Sequence, residues 1–312
     1  FKMIDWDNKD EVLKNIREDS WNLEYVSDRL KDDKEVVLEA VKNKGIVLRY
    51  ASTRLKDDEN VVMVAFNNDK SILEYASERF KNNKDLVLEA VKANGYLLMY
   101  ASPTLKNDKE VVMEAIKEDI FSLQFASNRL KADRDIVLEI VKRNGKILKY
   151  TQDIKNDDNI ISGFNLKLPS YFAEDKEIVL EAIKNNPLAI KYASEKLRDN
   201  KKIAIAAIKE DSLALKYVSE RLCGDKEIAI LAVEKEGIAL SLTSKEIKND
   251  PEVVLLAVKN NKEAFKYVSP ELKNKYLTVE KFIKSTKEKI KQKEVQKERA
   301  TRSRGRSKGQ ER

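Results

Sequence analysis

One aromatic position recurs at a fixed interval and limits what this chain can fold into. Tyr25, Tyr50, Tyr75, Tyr100, Phe125 and Tyr150 stand 25 residues apart, and Tyr192, Tyr217, Leu242 and Tyr267 resume the same step. A period of this length marks a repeat architecture. Each unit is too small to bury its own apolar face and has to stack on its neighbours. Within a unit the apolar residues are spaced by three and four. Val36, Val37, Ala40 and Val41 fall on one side of a helix, and Leu38 widens that side. Ten residues before the aromatic stands a recurring alanine: Ala40, Ala65, Ala90, Ala115, Ala182, Ala207, Ala232 and Ala257. A residue this small is where a neighbouring helix can come close.

This first helix of each unit carries start and stop signals. Asp32 with Glu35, Asn107 with Glu110, and Asn249 with Glu252 have capping-box spacing, which predicts that the helix starts after the first member of each pair. Gly45, Gly95, Gly145 and Gly237 sit where a left-handed C-terminal residue would fit. In the first half they occur in alternate units, so the deeper period is 50 residues, two similar hairpins that are not identical. A second helix of two to three turns is expected from Ile72, Leu73, Tyr75, Ala76 and Phe80. Alone it would be marginal in water, so it has to lie against its neighbours. Ser27, Ser52, Ser77, Ser102, Ser127, Ser194, Ser219, Ser244 and Ser269 close it or open the turn that follows.

The rhythm breaks once. The step from Tyr150 to Tyr192 is 42 residues, so one unit has lost about eight, and Gly163 and Pro169 lie in the gap. The sequence therefore divides into a first block of helical repeats at 1–150, a truncated repeat or kink at 151–173 and a second block at 174–275. A capping helix at 276–295 follows, in which Val279, Phe282 and Ile283 cover the last apolar face, and then a disordered basic tail at 296–312. The expected fold is all-α, an α-solenoid of about eleven short helical hairpins. With 37% charged and 42% apolar residues, eight Gly and five Pro, the composition suits packed amphipathic helices.

The repeated phrase carries a resemblance. LxYAS, LK-D/N-DKE and VLEAVKxNG recur over residues 9–275 and resemble a helical repeat family of bacteria, protists and large viruses. That family is known only as a domain of unknown function, with domains of about fifty residues. The resemblance implies a helical repeat protein and brings no activity with it. The unit at 150–173, the Leu242 unit and the tail depart from the pattern.

Chemistry is sparse. The chain has no His, which removes the commonest general base and metal ligand, and its single Cys223 excludes an internal disulfide framework. No phosphate-binding or dinucleotide motif is present. Glu39, Glu89, Glu114, Glu139 and Glu181 each precede a Lys by three residues, the pattern of a solvated helix face. Asp157, Asp158 and Asn159 could touch a cation but lack the spacing of a calcium loop. The protein is expected not to be an enzyme, to need no cofactor and to bind no metal.

Two basic features remain. Four residues after the aromatic stand Arg29, Arg54, Arg79, Arg129, Lys196 and Arg221, interrupted by Thr104, Glu246 and Glu271. Stacking would align them along one edge. They either pair with neighbouring acids or form a ladder for an acidic peptide or a phosphate backbone. The tail carries Arg299, Arg302, Arg304, Arg306, Lys308 and Arg312, a candidate polyanion-binding segment. Residues 284–312 hold twelve Lys and Arg against four Glu, so of the chain's net charge of +7 the preceding 283 residues account for only −1. The resulting expectation is a repeat scaffold that presents an extended helical surface to a protein or peptide. The alternative is nucleic-acid binding, led by the tail and helped by the arginine row. No apolar run is long enough to span a membrane. The lone cysteine favours a reducing, cytoplasmic setting, and the tail leaves nuclear or host-cell targeting open. The sequence opens on Phe1, so a missing leader is left open too.

Overall fold

The computed structural model describes residues 4–151, 166–276, 278–289, 291–292 and 296. Asp157, Asp158 and Asn159 and the basic residues from Arg299 to Arg312 lie outside them. The described residues are all-α, without strands, and form two compact units: Phe1–Ile140 with Asp153–Pro169, and Val141–Gln152 with Ser170–Arg312. Each unit is a solenoid stack.

Among the described residues each full repeat opens with an α-helix of ten residues, such as Lys34–Asn43, Lys84–Ala93 or Lys226–Lys235. Its apolar side is fixed by spacing. Val36, Val37, Ala40 and Val41 are all fully buried, and so are Val87, Ala90 and Val91. The helix starts one residue later than the capping-box spacing predicts. Asp33 is the N-cap and accepts from the amides of Glu35 and Val36 at 2.9 and 3.2 Å; Asp108 and Asp250 do the same in their repeats. Asp32, Asn107 and Asn249 close the preceding short helix instead. Two adjacent polar residues thus terminate one helix and begin the next.

The expected second helix is two helices. In the third repeat Lys70–Glu74 is a 3-10 helix and Glu78–Lys81 a separate single α-turn. Between them Ser77 is extended, with φ −66° and ψ 162°. Its amide makes no intrahelical bond and donates to the carbonyl of Lys56 in the preceding repeat at 3.0 Å. That bond breaks the helix, because one amide cannot serve both a local turn and a neighbour.

The glycines also have a different role from the predicted one. Gly45, Gly95 and Gly237 open 3-10 helices, and none has a left-handed φ. A Cβ on Gly45 would lie 2.3 Å from the carbonyl oxygen of Ala65 in the next repeat; Gly95 meets Ala115 and Gly237 meets Ala257 at the same distance. The repeats touch at this glycine–alanine contact, and any side chain at the glycine would hold them apart.

The second unit ends on a lid. Residues 279–289 are helical, and Phe282 is fully buried, 5.1 Å from the ring of Tyr276 and 6.3 Å from that of Phe265. Val279 and Ile283 pack against the same cluster. The apolar face that the last repeat would leave open is closed by these side chains.

Candidate functional site

The arginine row is built into the joints between repeats. Arg54 donates from Nε to Asp32 Oδ1 at 3.0 Å and from Nη2 to the Asp32 carbonyl at 2.5 Å. Arg29 grips Asp7 in this way, Arg79 grips Asp57, and Arg221 grips Asp199. Arg129 holds Asn107, with both bonds at 2.8 Å. The serine of the same repeat adds a second hold, since the hydroxyls of Ser52, Ser77 and Ser219 donate to Asp32, Asp57 and Asp199. The Ser52 hydroxyl and then the Arg54 guanidinium keep the Asp32 carboxyl below the usual carboxylate range; Ser77 and Arg79 act likewise on Asp57. Lys196 occupies the equivalent place without an ion pair among the described residues. The guanidinium groups remain more than half exposed, with their side chains at 56–63% in the four ion-paired cases. The row is therefore a set of clasps whose outer edges face solvent.

A lysine row that the sequence reading missed closes the other side of six joints among the described residues. The first residue of the long helix reaches the N-cap carboxylate of the next one. Lys84 lies 2.8 Å from Asp108 and 2.7 Å from Glu110; Lys9, Lys109, Lys201 and Lys226 each bridge an equivalent pair of acids. The signal was readable as acids 24 and 26 residues after each lysine. An asparagine brace was missed as well. Asn68 Oδ1 accepts from the Gly45 amide at 2.7 Å while its Nδ2 donates to the Lys42 carbonyl at 3.2 Å, and Asn185 and Asn260 repeat this on Gly145 and Gly237.

The aromatic row that sets the period is not core. Leu23, Leu48, Leu73, Leu98 and Leu123, two residues earlier, are fully buried or nearly so, whereas Tyr50, Tyr75, Tyr100 and Phe125 are half-buried and Tyr25 is 62% exposed. Rings of neighbouring repeats touch through the position four before: Trp21 meets Tyr50 at 6.3 Å and Tyr96 meets Phe125 at 5.7 Å, both edge-on. Each stack thus shows a strip of half-exposed rings, flanked by the residue just before each aromatic. In the first unit those flanks carry opposite charges. The Glu24 carboxylate acts on Tyr50 and that of Glu74 on Tyr75 and Tyr100, and Arg49 lies over both Tyr50 and Tyr75 at 5.3 and 5.6 Å. Burial and then these carboxylates raise the three phenols above the usual tyrosine range. In the second unit the flanks are lysines: Lys149, Lys191, Lys216 and Lys266, each over the ring of the tyrosine that follows it, at 4.7–5.8 Å. Among the described residues no cluster of three or more His, Cys, Asp or Glu could hold a metal ion, and no helix is long and apolar enough to cross a membrane.

No curated protein and no solved structure matches the chain. A family model does, five times, at residues 8–56, 58–106, 108–154, 175–223 and 225–273, each copy spanning two of the 25-residue repeats. The matched segments make up most of the chain and skip the stretch where the period breaks. The chain therefore belongs to the family described as a domain of unknown function (DUF4116) and carries that domain five times over.

Proposed function

We propose that this protein is a non-enzymatic scaffold whose stacked repeats present an extended surface to a protein or peptide. The observation that carries this reading is the half-buried aromatic strip, with a ring in each described repeat but that of Leu242, held in register by arginine clasps at several of the joints. Rigid, amphipathic rings at the surface give large contact area at small entropic cost, which is how binding surfaces are commonly furnished. The joints use the acids, asparagines and long-helix lysines internally, so the strip is the regular feature left for a partner. Selection of a displayed random-peptide library on the full chain tests the reading. Enriched peptides should lose binding when Tyr75 and Tyr100 are both changed to Ala. A library that yields no enriched sequence would overturn it.

Nucleic-acid binding is the second reading, supported by the composition of the tail from Arg299 to Arg312. The arginine row lends it less, because Arg29, Arg54, Arg79 and Arg221 already hold carboxylates.

A further inference from the structure

One joint of the second unit lacks its clasp. At the place of Arg54, Arg79, Arg129 and Arg221 it carries Glu271. Its other members match a joint that does hold an arginine. Asn249 and Ser269 correspond to Asn107 and Ser127, and in both joints the serine hydroxyl donates to the asparagine Oδ1 at 2.6 Å. The serine amides donate to the carbonyls of Lys106 and Lys248 at 2.9 and 3.0 Å. In the first joint Arg129 completes the set, with Nε on Asn107 Oδ1 and Nη2 on the Asn107 carbonyl. In the second a cavity of about 390 Å³ opens against the same three positions, Asn249, Ser269 and Glu271, and extends to Glu246 and Tyr267.

The acceptors around it are left open. Among the described residues no donor reaches the Asn249 carbonyl or the Glu271 carboxylate. Glu246 stands at the arginine place one repeat earlier, where Gly224 replaces the usual acid, so two successive rungs of the row are carboxylates. With no acid to meet, Ser244 turns to Glu246; its hydroxyl, then a backbone amide and the Lys245 ammonium, hold that carboxyl below the usual range. Lys245 and Lys248 also line the cavity, but neither forms an ion pair with Glu246 or Glu271 among the described residues.

We infer that this cavity receives the guanidinium of an arginine side chain presented by a partner protein, which completes the joint from outside. The presenting partner rests on the scaffold reading; the guanidinium site rests on the geometry of the joint. The same asparagine and serine hold a guanidinium at the Arg129 joint, so the acceptor side is already shaped for one. A guanidinium is a planar fork that gives two N–H groups to one carboxylate and keeps others for a carbonyl, which suits Glu271 and Asn249 together. An ammonium is a point charge without that fork. Asn249 and Glu271 are exposed, so the entrance faces solvent, and Tyr267 joins the cavity to the last ring of the aromatic strip.

The test uses the full chain and a short fluorescent peptide of Gly, Ala and Ser around a single Arg. Versions with Lys or with citrulline, the uncharged isostere, at that place are the controls. Anisotropy at low salt should show the Arg peptide binding most tightly and the citrulline peptide about tenfold or more weakly. Glu271→Gln should weaken the Arg peptide by about the same factor. Glu271→Arg should abolish its binding and, by forming the internal clasp with Asn249, raise the melting temperature by about 1–3 °C. Glu195→Gln, at an exposed carboxylate of the same unit, should change neither. Equal binding of the Arg peptide by Glu271→Gln and the parent overturns the proposal, and so does equal binding of the Arg, Lys and citrulline peptides. The chain with Arg302→Lys, Arg304→Lys and Arg306→Lys together should bind as the parent does; tighter binding would mean that the tail's own arginines fill the cavity, and would overturn the assignment to a partner. If library-selected peptides bind while the Arg peptide ignores Glu271, this site fails and the scaffold reading stands. If the library yields nothing and the Arg peptide still depends on Glu271, the scaffold reading fails and the guanidinium site stands.

Discussion

At the scale of single residues, the glycines show how a correct position can carry the wrong explanation. Their placement at the end of the long helix was readable, and the period of 50 residues followed from it. The physical reason was not, because it lies in the next repeat. Gly237 has no left-handed φ, and its missing Cβ makes room for the carbonyl of Ala257. Gly224 provides the contrast. It ends a single-turn helix in a right-handed conformation, φ −94° and ψ −2°, and an added Cβ would meet nothing closer than 3.5 Å. Gly237→Ala should therefore destabilise the second unit by about 2 kcal/mol or more, as overpacking of a close contact does. Gly224→Ala should be neutral or stabilising by up to about 1 kcal/mol, since it only restricts the unfolded chain. Urea denaturation of the two variants compares them directly. Equal effects would mean that the glycine–alanine approach does not set the spacing of the repeats.

At the scale of elements, the long helix was legible and the segment after it was not. The apolar side of Val36, Val37, Ala40 and Val41 is a local pattern, and burial follows it. The 3-10 helix and the single turn are set by bonds to residues about twenty positions away, such as the Ser52 amide to the Lys31 carbonyl, which no local periodicity encodes. For the same reason the tandem acids Asp32 and Asp33 read as one cap, though they perform two tasks. Both tasks depend on charge, and that sets a pH dependence. The hydrogen bonds from Ser52 and then Arg54 depress Asp32. Burial opposes ionisation of Asp33, but the Lys9 ammonium and the Val36 amide outweigh it. A carboxyl whose folded pKa lies below its unfolded value of about 3.9 contributes stability that is present above that pH and lost as pH falls through the folded pKa. Melting temperature should thus change little from neutral to about pH 5 and fall steeply below about pH 4. Asn82, Asn107 and Asn249 already accept the serine hydroxyl in their joints, at 2.6 Å, so asparagine is a compatible acceptor. The variant Asp32→Asn with Asp57→Asn should fold and show a shallower acid decline. An unchanged slope would remove these clasps from the account of acid stability.

At the scale of the whole molecule, a solenoid's stability is close to a sum over repeats and their joints, so damage should stay near its origin. The sequence made the last apolar face and its cover visible, because Val279, Phe282 and Ile283 continue the long-helix pattern after the repeat phrase has faded. Phe282 is fully buried against Tyr276 and Phe265 in the cluster that closes the second unit. Phe282→Ala should cost about 3–5 kcal/mol at that end, by lost burial and the cavity left behind. Its effect on amide hydrogen exchange should be confined to the last repeats, with protection falling across Lys226–Lys235, Pro251–Asn260 and Pro270–Tyr276. Exchange in Lys34–Asn43 and Lys84–Ala93 should keep its parent rate. Removing residues 297–312 in a separate variant should leave every one of these rates unchanged. Loss of protection throughout the first unit in the Phe282 variant would mean that the chain unfolds as one cooperative block, and nearest-neighbour coupling between repeats would no longer describe it.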